Sequence, residues 1–211
     1  MFRLDRDFLF YLPGLLIAFT VHEFAHGYVS YKLGDPTPKA QGRLSLNPIH
    51  HIDPVGFLMM VIFRFGWCKP VQINPFYFED RRKGVLWVAL AGPMANFITA
   101  FVAAFGFALA SLFLPASLMF NSIFTKLFIG LILYNINLGL FNLIPIAPLD
   151  GSKVLEGLLS PANAYKYSDF MNRYGFFILL GIMFSGAYRY IIGPPAQLMF
   201  SSLLNLMRIF I

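Results

Sequence analysis

Long uncharged runs dominate the chain and set its elements. Residues 8–21 carry no charge, and the run continues to residue 31 with only His22, Glu23 and His26 interrupting it. Residues 85–114 and 127–149 are also free of charge. A fourth run, residues 170–192, is clean between Arg173 and Arg189, whose long side chains can reach the membrane interfaces. A helix that crosses a bilayer needs about 20 apolar residues, so the pattern predicts spans over 7–31, 85–114, 127–149 and 170–192. Two further runs are too short to cross. Residues 54–63 predict a short or re-entrant helix, and residues 195–207 a tilted last helix or an interfacial one. Between the spans, residues 32–53 contain Gly34, Pro36, Pro38, Gly42 and Pro48, and residues 67–78 contain Pro70 and Pro75. Both stretches read as loops with turns, with short strands expected around 42–46. The expected fold is an all-α polytopic membrane protein. It is a bundle of about four to six transmembrane helices, with short strands or re-entrant elements on the cytoplasmic side, forming one domain over residues 1–211.

Composition agrees. Hydrophobic residues make up 58% of the 211 positions and charged residues 12%, against about 25% charged in soluble domains. That excludes a disordered chain and a soluble globular domain, and the single cysteine, Cys68, excludes a disulfide scaffold. An arginine-flanked apolar start could be a secretory signal, but no small-x-small cleavage site follows it. The net charge of +6 reads as loop charge rather than a nucleic-acid face, so no nucleic-acid partner is expected. Residues 32–83 hold eight lysines and arginines and residues 151–173 hold three; Arg3, Arg6, Lys126 and Arg189 fall on the other side, and Arg208 at the C-terminus. Eleven against four places the two large loops in the cytoplasm.

That orientation brings polar residues to one depth. His26 lies roughly 8 Å and His22 roughly 14 Å from the cytoplasmic end of the first span, and Asn96 roughly 17 Å into the second. Asp150 lies at the cytoplasmic end of the third. Ionisable groups inside a span are costly and functional by default. His22-Glu23-Phe24-Ala25-His26 is an H-E-x-x-H sequence. On a helix the two imidazoles share a face and can bind one zinc ion, with Glu23 placed as general base for the attacking water. A zinc hydrolase needs a third protein ligand. Lys32 stands where an extended H-E-x-x-H-x-x-G-x-x-H motif would have its last histidine. Asp150, His50, His51, Asp53 and Glu79 remain as candidates. Pro145, Pro148 and Gly151 would let Asp150 turn back into the bundle.

These residues resemble the site-2 protease family of intramembrane zinc metalloproteases. Three signatures carry the likeness: His22 to Gly27 in one span, Gly92-Pro93-Met94-Ala95-Asn96 in the next, and residues 142–151 with Pro148-Leu149-Asp150-Gly151 in the third. Residues 42–48, 51–56 and 66–71 look like the small bacterial branch. The resemblance implies one Zn2+ per chain on His22, His26 and Asp150, with Glu23 as general base. It implies that Asn96 holds substrate or the developing oxyanion. Core motifs would fill residues 22–151, with additional helices over 152–211. The implied function is regulated intramembrane proteolysis of single-span membrane proteins. The implied setting is the lipid bilayer of a bacterial cell membrane, with the active site nearer the cytoplasm. An unwound substrate strand could pair with the edge of a short sheet from the 32–75 region. A membrane metal transporter or an inactive substrate-binding relative are the alternative readings.

Overall fold

The computed structural model describes residues 6–63, 66–119 and 122–207. Arg3, Arg64 and Arg208, which enter the charge count, lie outside the described residues. The helices are α1 (Arg6–Lys32), α2 (Thr37–Ala40), α3 (Pro54–Phe63), α4 (Arg81–Phe113), α5 (Ala116–Met119), α6 (Ser122–Asn142), α7 (Asp150–Leu158), α8 (Pro161–Ser185) and α9 (Tyr188–Met207). Helices α1, α4 and α6 pack on one another, α7 lies on α4, and α9 leans on α6 and α4. Among the described residues, three helical segments are long and apolar enough to cross a membrane: 9–32, 81–113 and 123–142.

α4 shows how a membrane helix sorts its residues. Ile98, Phe101, Val102, Phe105, Leu109 and Leu112 form an exposed stripe, while Ala100, Ala103, Ala104 and Ala108 are buried. Lipid is as apolar as leucine, so large side chains face outward and small ones let helices approach. The buried alanines meet Ile132 and Ile136 of α6 and Ile192 and Ala196 of α9. Asp80 caps the start of α4 by accepting a hydrogen bond from the Lys83 N–H at 3.0 Å.

The structure departs from the sequence expectations in three places. No strand occurs among the described residues. Residues 42–46 are irregular, and the nearest approach to a ladder is an isolated antiparallel bridge between Ile52 and Cys68. The reason lies in the turns: Gly42 has φ +65° and Asn47-Pro48 starts a single 3-10 turn, so no run is long enough to pair. The substrate-binding sheet edge expected there is therefore absent among the described residues. Secondly, the fourth span is not one straight helix over 170–192. Gly186, in the left-handed region at φ +74°, ends α8, and α9 departs at 75°. The bent pair counts as one broken span at most. Thirdly, the third span ends at Asn142 rather than 149, because Pro145 and Pro148 cannot continue it. The short run 54–63 does form a helix, α3.

Candidate metal centre

His22 and His26 are one turn apart on α1, buried against α4, and their Nε2 atoms lie 3.0 Å from each other. Asp150 Oδ2 is 3.1 Å from His22 Nε2 and 3.2 Å from His26 Nε2. Among the described residues this is the one group of three or more such side chains whose donor atoms converge.

The protons on the imidazoles can be assigned from their partners. His26 Nδ1 lies 2.7 Å from the Val88 carbonyl, which can only accept, so Nδ1 carries the proton. His22 Nδ1 lies 2.7 Å from Asn96 Oδ1. The Asn96 orientation follows from its other bonds. Its Nδ2 donates to the Ala18 carbonyl and to Asn135 Oδ1, both at 2.9 Å. Oδ1 therefore faces His22 and accepts. As metal ligands the rings must be neutral; each then presents an Nε2 lone pair to the same point, and Asp150 Oδ2 accepts no hydrogen bond there. Three lone pairs aimed at one point repel unless a cation lies between them. Two imidazoles and a carboxylate are a donor set that zinc takes. Separations of 3.0–3.2 Å suit a tetrahedron with bonds of about 2.0–2.1 Å, whose edge is about 3.3 Å.

Two glycines make the convergence possible. A Cβ on Gly92 would press on His26 Nε2 and His22 Cε1, so only glycine leaves the rings room against α4. A Cβ on Gly151 would collide with the Leu143 and Ile144 carbonyls. Glycine there lets the first turn of α7 tuck under the irregular 143–149 segment, which returns Asp150 to the histidines.

Glu23 is buried beside them, and residues 68–71 run across it. Its Oε1 accepts from the Cys68 thiol at 3.0 Å and its Oε2 from the Val71 N–H at 2.8 Å. Asn96 is fully buried with both N–H donors engaged, so in this arrangement it orients His22 and has no donor free for an oxyanion. The other candidate ligands are elsewhere. Glu79 and His50 are exposed, and Asp53 accepts from the Gly56 N–H at the start of α3. His51 is buried, and its Nε2 donates to the Ser45 carbonyl at 2.7 Å. Burial, helped by the nearby Arg43 charge, holds its imidazole below the ordinary histidine range. Sequence reasoning missed the Val88 carbonyl, which no side chain announces, and the parts played by Cys68, Val71 and Arg43. Asn135 was legible as a polar residue within a span. Among the described residues, the Asn137 and Asn142 amides donate within their own helix, to the Leu133 and Leu138 carbonyls.

The chain matches Peptidase family M50 over residues 108–184. That stretch contains Asp150 but not the histidine pair. Similar proteins extend the match. "Putative zinc metalloprotease YwhC" of Bacillus subtilis is 37% identical over 200 residues, covering 91% of this chain and 88% of that one. Rip2 of Mycolicibacterium smegmatis, similarly named, is 29% identical over 186 residues, covering 85% and 68%. Rip2 of Mycobacterium tuberculosis is 30% identical over 164 residues, covering 73% and 59%. No solved structure matches the chain.

Proposed function

Because the chain belongs to peptidase family M50, the site-2 protease family, we propose that it is a zinc-dependent endopeptidase that cuts membrane-protein substrates within their transmembrane segments. The observation that carries this reading is the convergence of His22 Nε2, His26 Nε2 and Asp150 Oδ2, with both histidine Nδ1 protons already committed. These three residues would hold zinc, which when bound polarises the scissile carbonyl and acidifies water. Glu23, held by Cys68 and Val71, takes the proton of the attacking water. The water oxygen bonds the carbonyl carbon, and Glu23 returns that proton to the amide nitrogen as the C–N bond breaks, leaving a carboxylic acid and an amine. Asn96 fixes the His22 ring. A carboxylate has about four acceptor sites, so the two bonds Glu23 already accepts leave capacity for water. A substrate helix must unwind locally first, since its carbonyls are already paired.

The test is cleavage of a single-span substrate in proteoliposomes. Glu23→Gln keeps size and polarity and removes the base. Its zinc content is expected to match wild type while its rate falls about 100-fold or more. His26→Ala and Asp150→Ala are expected to lose both zinc and cleavage. Wild-type cleavage by Glu23→Gln, or a full zinc complement in Asp150→Ala, contradicts the reading.

A further inference from the structure

Among the described residues no charged partner holds the base Glu23. Both of its carboxylate oxygens are instead held by residues 68–71, which belong to a stretch outside any helix or sheet. Such a stretch orients a carboxylate only if something fixes it in turn. The structure supplies that from Arg43. The Arg43 side chain is buried, and its two terminal nitrogens donate to the carbonyls of His50 and Lys69. The same two stretches are joined by the Lys69 N–H to the His51 carbonyl at 2.8 Å and by the Ile52–Cys68 bridge. His51, through its bond to the Ser45 carbonyl, closes the loop that carries Arg43. The chain of contacts is continuous: residues 43–51, then 68–71, then both oxygens of Glu23.

We propose that Arg43 and Cys68 are positioning residues for the reaction: Arg43 clamps residues 50 and 69 together, and the clamped segment aims the Glu23 carboxylate through the Cys68 thiol and the Val71 N–H. The inference rests on the endopeptidase reading for its kinetic consequence, and on geometry alone for the clamp. A buried arginine is expensive unless paired. Here it meets no carboxylate, and carbonyls alone are its acceptors among the described residues. A planar fork holds two carbonyls on two separate nitrogens in a fixed geometry, whereas a lysine offers a single ammonium on a flexible stem. Burial pushes the Cys68 thiol well above its ordinary range, with the Glu23 charge adding to the effect, so it keeps its proton and serves as a donor. Cys68 is therefore a hydrogen-bond donor to the base and not a nucleophile.

The chain's single cysteine gives one S–H stretching band, which can be read by infrared spectroscopy on the zinc-loaded full chain without any turnover. The band is expected at the lowered frequency of a thiol bonded to a carboxylate. It should move to the free-thiol position in Glu23→Gln and in Arg43→Gln. A free-thiol band in the wild type, or one that Arg43→Gln leaves in place, overturns the clamp. Kinetics then test its purpose. A misaimed base should lower kcat by about 10–100-fold with KM and zinc content unchanged. Cys68→Ala and Arg43→Gln are expected to show this split, and Cys68→Ser, which keeps a donor, to recover most of kcat. Wild-type kcat in Cys68→Ala, or a loss that Cys68→Ser does not recover, overturns the positioning role even where Arg43→Gln fails to fold. If the zinc-loaded wild type cuts no membrane substrate, the endopeptidase reading fails by itself, and the S–H band still decides the clamp.

Discussion

An imidazole offers a lone pair to a cation at one nitrogen only when the proton on the other has somewhere to go. Here the two destinations differ in kind. Val88 contributes a main-chain carbonyl that no substitution can remove, whereas Asn96 contributes a side-chain oxygen whose direction is fixed by two bonds on its other end. The space for the rings is set by one missing atom group, at Gly92. Gly92→Ala should therefore weaken zinc binding by about 10–100-fold, the range found when support around a ligand is lost, with the helix intact. Gly106→Ala is the control, since a Cβ there meets nothing within 4 Å on the same helix. Metal analysis against a competing chelator measures both. Equal zinc retention in the two variants would show that the rings do not depend on this space.

At the level of elements, the loop after α1 is held by one carboxylate. Asp35 is fully buried. It accepts from the Ser30 hydroxyl at 2.8 Å, the Thr37 N–H at 2.9 Å and the Asn74 N–H at 2.7 Å, so it joins the end of α1 to the far end of the stretch that crosses Glu23. Burial alone would raise its pKa, but the hydrogen bonds from Thr37, Asn74 and Ser30 outweigh that and lower it below 3.8. A depressed acid pKa means stability that is complete above the unfolded value, about 3.9, and is lost as pH falls through the lower folded value. Asp35→Asn should cost about 1–3 kcal/mol at neutral pH, because an amide N–H then faces the Asn74 N–H. The gap from wild type should narrow below about pH 4, as seen in thermal melts in detergent; a gap that widens on acidification would contradict the assignment. The same region marks the limit of what was legible in advance. Long apolar runs located α1, α4 and α6, and charge inside an apolar run located His22, Glu23 and His26. Pro145 and Pro148 announce a turn before Asp150, but hydropathy alone does not mark Asn142 as the end of α6, nor the break at Gly186. Residues 42–46 looked like strand, yet Arg43 turns inward to bond carbonyls from two other stretches, and alternation along the chain does not reveal such a contact.

At the scale of the whole molecule, the three candidate ligands differ in exposure. The side chains of His22 and His26 are 6% and 11% exposed and that of Asp150, where α6 gives way to α7, is 22% exposed, with its Oδ2 buried. Under the endopeptidase reading, the Asp150 side is expected to admit the water that hydrolysis consumes. We propose, from the count of eleven basic residues against four, that this end faces the cytoplasm; helical rise would then put the histidines roughly 8–14 Å from the cytoplasmic end of α1. Substrate should be cut in the inner half of its span. Single cysteines placed along residues 18–31 in a Cys68→Ser background, probed with a membrane-impermeant thiol reagent, would map the access. Positions on the His22 face are expected to react only when the reagent is on the cytoplasmic side, and zinc removal should increase their reactivity. Reaction of that face only from the opposite side would reverse the orientation and move the expected cleavage position to the outer half of the substrate span.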